Sequence, residues 1–121
     1  MSLSVAVLGA SQNPDRHSHR AVVMLLERGY RVLPIHPSGK DVAGVECHRS
    51  LRDVPQPVDT ITVYLSAANS TQVIDDILAA RPRRVILNPG AENPELARRC
   101  RESGIEVQEA CTLVQLRTGQ F

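Results

Sequence analysis

Apolar residues gather in five short runs along the chain: Ser4 to Leu8, Arg31 to Ile35, Thr60 to Tyr64, Arg84 to Leu87 and Ile105 to Val107. None alternates strictly with polar residues, which is the pattern of strands covered on both faces. After the first run, Ala21, Val22, Met24, Leu25 and Leu26 recur at helical spacing and Gly29 supplies a C-terminal stop. A second helix is expected with Asn69, Ser70 or Thr71 as its cap, Val73, Ile74, Ile77 and Leu78 on one face, and its end before Pro82. Asn93, Pro94 and Glu95 read as cap, first-turn proline and first-turn acid of a third helix that runs through Leu96, Ala97 and Cys100 to Gly104. The order is βαβ, a connection, then βαβαβ. It predicts an α/β fold: a Rossmann-type doubly wound parallel sheet of about five strands with helices on both faces.

The connection from His36 to Asp59 breaks this rhythm. It holds Pro37, Gly39, Gly44, Pro55 and Pro57 and leaves room only for a short strand or turn near Val45 and a brief helix around Ser50 to Val54. Long connections inside a domain are often functional. In doubly wound sheets ligands bind beyond the carboxyl ends of the strands, so the loops after Leu8, Ile35, Tyr64 and Leu87 are the places to search.

Length and charge narrow the chemistry. The 121 residues fit one domain, and 14 Lys and Arg against 13 acids leave a net charge of +1, so an anion site has to be local. Without Trp and with one Phe and two Tyr, the chain lacks the aromatic platforms of single-strand nucleic-acid binders. Cys47, Cys100 and Cys111 form no CxxC pair, and the start is apolar only from Val5 to Leu8 with no basic flank. A cytoplasmic protein with reduced thiols and no membrane segment is expected.

The first loop, Gly9-Ala10-Ser11, sits directly after a strand and before a helix. Small residues there let phosphate oxygens approach the backbone and the positive end of the helix, and Ser11 and Ser18 add hydroxyls. Only one glycine of GxGxxG is present and the P-loop pattern is absent, so the same residues also read as a tight turn without a ligand. Where NAD-binding proteins place an acid after the second strand to hold the ribose, this chain has Pro34-Ile35-His36-Pro37 and then Gly39-Lys40. A cation suits an extra phosphate, such as the 3′-phosphate of coenzyme A, better than a ribose diol. Lys40 reads equally as a solvated loop lysine.

The stretch from GASQNPDRHSHRAVVMLLERGYRVLPIHPSGK to the apolar run ending at Tyr64 resembles the family of small CoA-binding domain proteins. That family carries GAS, a proline and a serine before the helix, GY-x-V-x-P-V-N-P, and a Leu-x-x-Ile-Pro turn. It is similar to the N-terminal domain of the succinyl-CoA synthetase α subunit. The resemblance covers nearly the whole chain and implies one CoA-binding Rossmann-type domain over residues 1–121. It gives the first-loop role to Gly9, Ala10 and Ser11, with Pro14, Arg16 and Ser18 behind them. It adds His36 and Pro37 after the second strand and assigns Lys40 to a coenzyme phosphate. It places Tyr64, Leu65 and Ser66 after the third strand and Asn88, Pro89 and Gly90 after the fourth. Three departures stand out: His36 replaces the common Asn, Ser66 replaces the synthetase's proline, and Leu-Asn-Pro-Gly replaces Trp-x-Gln-x-Gly. The resemblance implies binding of coenzyme A or an acyl-CoA without independent catalysis. A NAD(P)-linked or acyl-CoA-handling enzyme and an interaction protein with a vestigial pocket are the alternatives.

The remaining chemistry-bearing residues have plainer readings. His17, His19, His36 and His48 do not show the spacing of a zinc set, and His17 or His19 reads as a phosphate contact. Cys111 follows the last run and reads as a reactive thiol or as a buried one, Cys100 lies on a helix's apolar face, and Cys47 is undecided. Arg81, Arg83, Arg84, Arg98, Arg99 and Arg101 alternate with acids and read as a solvated face. No catalytic motif is present, and a homodimer is expected only on the general frequency of two-fold assemblies.

Overall fold

Side by side and all parallel, the apolar runs form one sheet. In the computed structural model, which describes residues 3–121, β1 (Ser4–Leu8), β2 (Arg31–Ile35), β3 (Thr60–Val63), β4 (Arg84–Leu87) and β5 (Glu106–Glu109) lie in the order β2-β1-β3-β4-β5. Leu8 pairs with Ile35 and Val63, Val63 with Leu87, and Leu87 with Glu109. The carboxyl ends of all five strands therefore share one edge.

Alternation along β1 sorts the core into two faces. Val5 and Val7 pack with Val22 and Leu25 of α1 (His17–Glu27) and Leu116 of α5 (Thr112–Thr118). Ala6 and Leu8 belong instead with Ile74 and Ile77 of α3 (Ile74–Ala80) and Leu96 and Cys100 of α4 (Pro94–Glu102). Helices thus cover both faces, giving the expected α/β Rossmann-type architecture. Most of the apolar atoms of these residues are removed from water, the dominant favourable contribution to folding. Pro34 is tolerated because β2 is an edge strand: its carbonyl turns outward and accepts the His48 amide at 2.9 Å.

The connection after β2 is ordered by small devices. His48 bridges to Ile35, Val42 pairs with Val45, and a 3-10 turn at Leu51–Asp53 is capped by the Ser50 hydroxyl, as the sequence suggests.

Four elements differ from the sequence reading. The second helix is two: α2 (Ala67–Thr71), capped by Ser66 and not by Asn69, Ser70 or Thr71, and then α3, which starts only after Val73 leaves helical geometry. Asn93, the N-cap of α4, donates to the Ser70 and Thr71 hydroxyls and to the Ala67 carbonyl, holding this break in place. Strand β3 stops at Val63, one residue before Tyr64, and β5 runs through Glu106 to Glu109 at the outer edge of the sheet, where its side chains are exposed or half-buried. Helix α5 is unannounced in sequence, since its first amide, on Thr112, is capped by Asn88 from 24 residues away. Finally, Arg84 is buried, donating to the Thr60 hydroxyl with its guanidinium 4.4 Å above the Phe121 ring. Its neighbours Arg83, Arg98 and Arg99 are paired with Asp59, Glu102 and Asp75.

Candidate functional site

At the shared strand edge, Gly9 turns the chain out of β1 with φ +89°. A Cβ there would lie 2.9 Å from Leu65 Cδ2 and 3.4 Å from the Tyr64 carbonyl carbon, so the turn after β3 packs directly on this glycine. The loop then satisfies its own backbone. The Gly9 and Ala10 amides both donate to the Ile35 carbonyl, the Ser11 amide to the buried Ser18 hydroxyl, and the Asn13 amide to the Ser11 hydroxyl. His19 Nδ1 lies 3.0 Å from the Ser11 carbonyl, which only accepts, so this nitrogen carries the ring proton. The amides of the glycine loop are therefore spent within the protein.

The free donors come next in the chain. No side chain caps α1: Arg16 occupies the N-cap position without a side-chain hydrogen bond, and its first turn contains no acid. Among the described residues, the amides of His17, Ser18 and His19 have no partner. The other helix starts are closed differently, with Ser66 capping α2, Asn93 capping α4 and Asn88 capping α5, and Asp75 and Asp76 lying in the first turn of α3. An open eleven-residue helix end is a ready anion site.

Two cavities meet at His36. The first, about 340 Å³, sits over the ends of β1 and β2, with Leu8, Gly9, Ile35, Leu51, Leu65 and Val73 supplying its apolar surface. Asn69, Gln72, Asp76, Ser50 and Arg49 give it polar groups. An Arg52 to Asp76 pair at 2.6 Å ties the 3-10 turn to α3 beside it. The second cavity, about 260 Å³, is polar and brings Ala10, Ser11, Gln12 and Asn13 together with His36, Ser38 and Lys40. His36 Nδ1 accepts the Ser38 amide at 3.1 Å, so the neutral ring carries its proton on Nε2 and offers a donor at the junction.

A third hollow, about 310 Å³, lies against the start of α1 and is lined by Asp15, Arg16, His17, Ser18 and Tyr64. The Tyr64 hydroxyl is buried without a hydrogen-bond partner, and burial pushes its pKa up to about 12. The nearby Thr62 and Thr112 hydroxyls moderate that rise but are committed to each other at 2.7 Å.

Of the residues singled out in sequence, Gly9, Ala10, Ser11, His36, Pro37, Lys40 and Leu65 line the first two cavities, and Arg16, Ser18 and Tyr64 the third. Pro14 lies exposed in the turn before α1, and Ser66 acts as a helix cap. Asn88 has its amide group wholly engaged by Thr62, Val63 and Thr112, and Pro89 and Gly90 form the exposed turn beyond it. Sequence reasoning missed Arg49, Asn69, Gln72 and Asp76. The spacing of Asn69, Gln72 and Asp76 does mark one helical side, whereas nothing local marks Arg49. Among the cysteines, Cys47 and Cys100 are buried, and burial pushes both thiols up, as suits inert core groups. Cys111 is half-buried at the start of α5. Among the described residues no three His, Cys, Asp or Glu side chains gather as metal ligands, and no helix is long and apolar enough to cross a membrane.

The comparison with protein families decides what this arrangement belongs to: residues 3–117 match the model of the CoA binding domain. The chain belongs to the CoA binding domain family. It is 27% identical to the uncharacterized protein YneT of Bacillus subtilis over 103 residues, which are 85% of this chain and 76% of YneT. A solved structure from Thermus thermophilus superposes with a TM-score of 0.90 at 35% identity, covering 99% of this chain and 91% of that one. A dinucleotide-forming acetyl-coenzyme A synthetase 1 from Ca. Korarchaeum cryptofilum, in complex with phosphate and ADP, matches at 27% identity and a TM-score of 0.77. That match covers 88% of this chain but only 25% of the synthetase. The CoA binding domain family thus includes chains of about this size and is related to a segment of much larger acyl-CoA synthetases.

Proposed function

We propose that this chain binds coenzyme A or an acyl-CoA as a binding module, without a reaction of its own. The observation that carries the reading is the uncapped start of α1, joined through the Ser11 to Ser18 hydrogen bond to the loop whose polar cavity holds Ala10, Ser11 and Lys40. Unpaired amides, a helix N-terminus and a lysine are what a pyrophosphate needs. The adjoining apolar cavity, with Asn69, Gln72 and Asp76 on its wall, suits a base that presents both an aromatic face and hydrogen-bonding edges. His36 lines both cavities, and its Nε2 donor suits a ribose hydroxyl between them. Tyr64 and Arg16, around the third hollow, supply a path for the rest of the molecule. Three unpaired cysteines also suit a cytoplasmic protein.

Thermal unfolding with coenzyme A, acetyl-CoA, NAD, NADP and ATP tests this directly. A ligand at 100 times its dissociation constant adds about 2.7 kcal/mol to the native state. Coenzyme A and acetyl-CoA are expected to raise the Tm. A shift with NAD and none with coenzyme A would overturn the reading.

A further inference from the structure

The turn Pro37 to Lys40 separates the two cavities and carries a cation on each side. Lys40 faces the polar one, in company with Ala10 to Asn13. On the other side is Arg49, whose placement is fixed by the fold. Its Nη1 donates to the Pro37 carbonyl at 2.9 Å, and its side chain crosses Gly39 so closely that a Cβ there would lie 3.0 Å from Arg49 Cγ and Nε. Gly39 has φ +65°, so the turn is built around this guanidinium. Arg52, Arg83, Arg98 and Arg99 each have a carboxylate partner, whereas Arg49 has none among the described residues. It is an oriented, unneutralised guanidinium on the wall of the apolar cavity, with donors left over after the one bond to Pro37.

We infer that Arg49 reads the 3′-phosphate of the bound nucleotide, and that Lys40 serves the pyrophosphate. This rests on the coenzyme A reading and goes beyond it by dividing two anions between two cations. The division follows from the cavities. Lys40 shares its own with the first loop, whose Ser11 amide bonds to Ser18 in the first turn of α1, and that is the side the 5′-linked pyrophosphate takes. The base occupies the apolar cavity, and a ribose at the His36 junction sends its 3′ substituent to the base side of the turn, where Arg49 waits. A planar fork matches a terminal phosphate, which offers several oxygens, better than a single ammonium does. The extra phosphate, which the sequence alone gives to Lys40, moves to Arg49, a residue that only the fold brings back against Pro37, twelve positions earlier.

Titration calorimetry of the full chain with coenzyme A and with dephospho-coenzyme A tests the division. Wild type is expected to prefer coenzyme A by at least about tenfold, or about 1.4 kcal/mol. Arg49→Gln is expected to abolish most of that preference while leaving dephospho-coenzyme A binding nearly unchanged, and Arg49→Lys to keep part of it. Lys40→Ala is expected to weaken both ligands by the same factor. Arg49 is exposed, so the variants should fold, and a general loosening of the turn would lower both affinities together. Equal losses on Arg49→Gln, or a selective loss on Lys40→Ala, would overturn the inference while leaving coenzyme A binding intact. Failure of wild type to bind either ligand would instead overturn the functional reading itself.

Discussion

The turns after β1 and after β4 leave the same edge of the sheet, and both resemble binding loops in sequence, yet they account for their polar groups in opposite ways. Beyond β4, Asn88 donates to the Thr62 hydroxyl at 2.7 Å and to the Val63 carbonyl at 2.9 Å, and accepts the Thr112 amide at 2.8 Å. Its side chain is a buried clamp between β3, β4 and α5. Beyond β1 the loop closes on itself through Ser18 and Ile35 but leaves the first amides of α1 without partners among the described residues, as the facing turn after β2 leaves His36 Nε2 and the Lys40 ammonium. Buried polar groups are nearly always satisfied within the protein, as at Asn88, whereas the open groups beside the cavities are exposed and free to exchange water for a ligand. The contrast separates a loop whose polar groups are committed to the fold from one whose polar groups remain open.

Removing the clamp should have the largest effect on stability. Asn88→Ala leaves the buried Thr112 amide and the Thr62 hydroxyl short of a partner, a loss of roughly 2 to 4 kcal/mol in urea unfolding. A loss below about 0.5 kcal/mol would mean that Asn88 is not a structural residue and would return it to the list of ligand contacts. Gly9→Ala comes next. The left-handed backbone costs an alanine about 1 to 2 kcal/mol, and the new methyl also meets Leu65. The double variant Gly9→Ala with Leu65→Ala should recover the steric part and not the backbone part. Full recovery would show that the positive φ at Gly9 carries no cost.

The difference between these turns also explains what could be read in the sequence. Val5, Val7, Ala6 and Leu8 identify a doubly covered strand by composition alone, and Gly29, Asn93 and Pro94 announce helix ends from within a few residues, so the fold is largely local information. Gly9, Ser11, His36 and Lys40 stand out as cavity-lining candidates for the same reason, because the loops that carry them follow strands directly. Arg49, by contrast, reaches the cavity wall only when the His48 bridge to Ile35 folds the long connection back over Pro37. Asn88 looks like a loop residue until Thr112 arrives from the far end of the chain to use it. Helix α5 escapes notice because its cap is borrowed across that distance. Nothing in the residues near either partner encodes the meeting.

The smallest effect concerns Tyr64, which lies between the two turns. Its hydroxyl is buried near the Thr62 and Thr112 pair without bonding to it, so it belongs to neither account. Tyr64→Phe removes an unpartnered polar atom and should change stability at pH 8 by less than about 1 kcal/mol, in the stabilising direction. The sign of the pH dependence follows from the raised native pKa. The unfolded chain releases the phenolic proton near pH 10, while the native state keeps it until about pH 12. The contribution of Tyr64 is therefore full below pH 10 and is lost as pH rises through 12, so wild type should fall behind Tyr64→Phe across that window. Lysines and arginines titrate there in both proteins, which makes the difference between the two urea midpoints the quantity to read. Parallel curves from pH 8 to 11 would mean that water reaches the native hydroxyl and that burial does not raise its pKa.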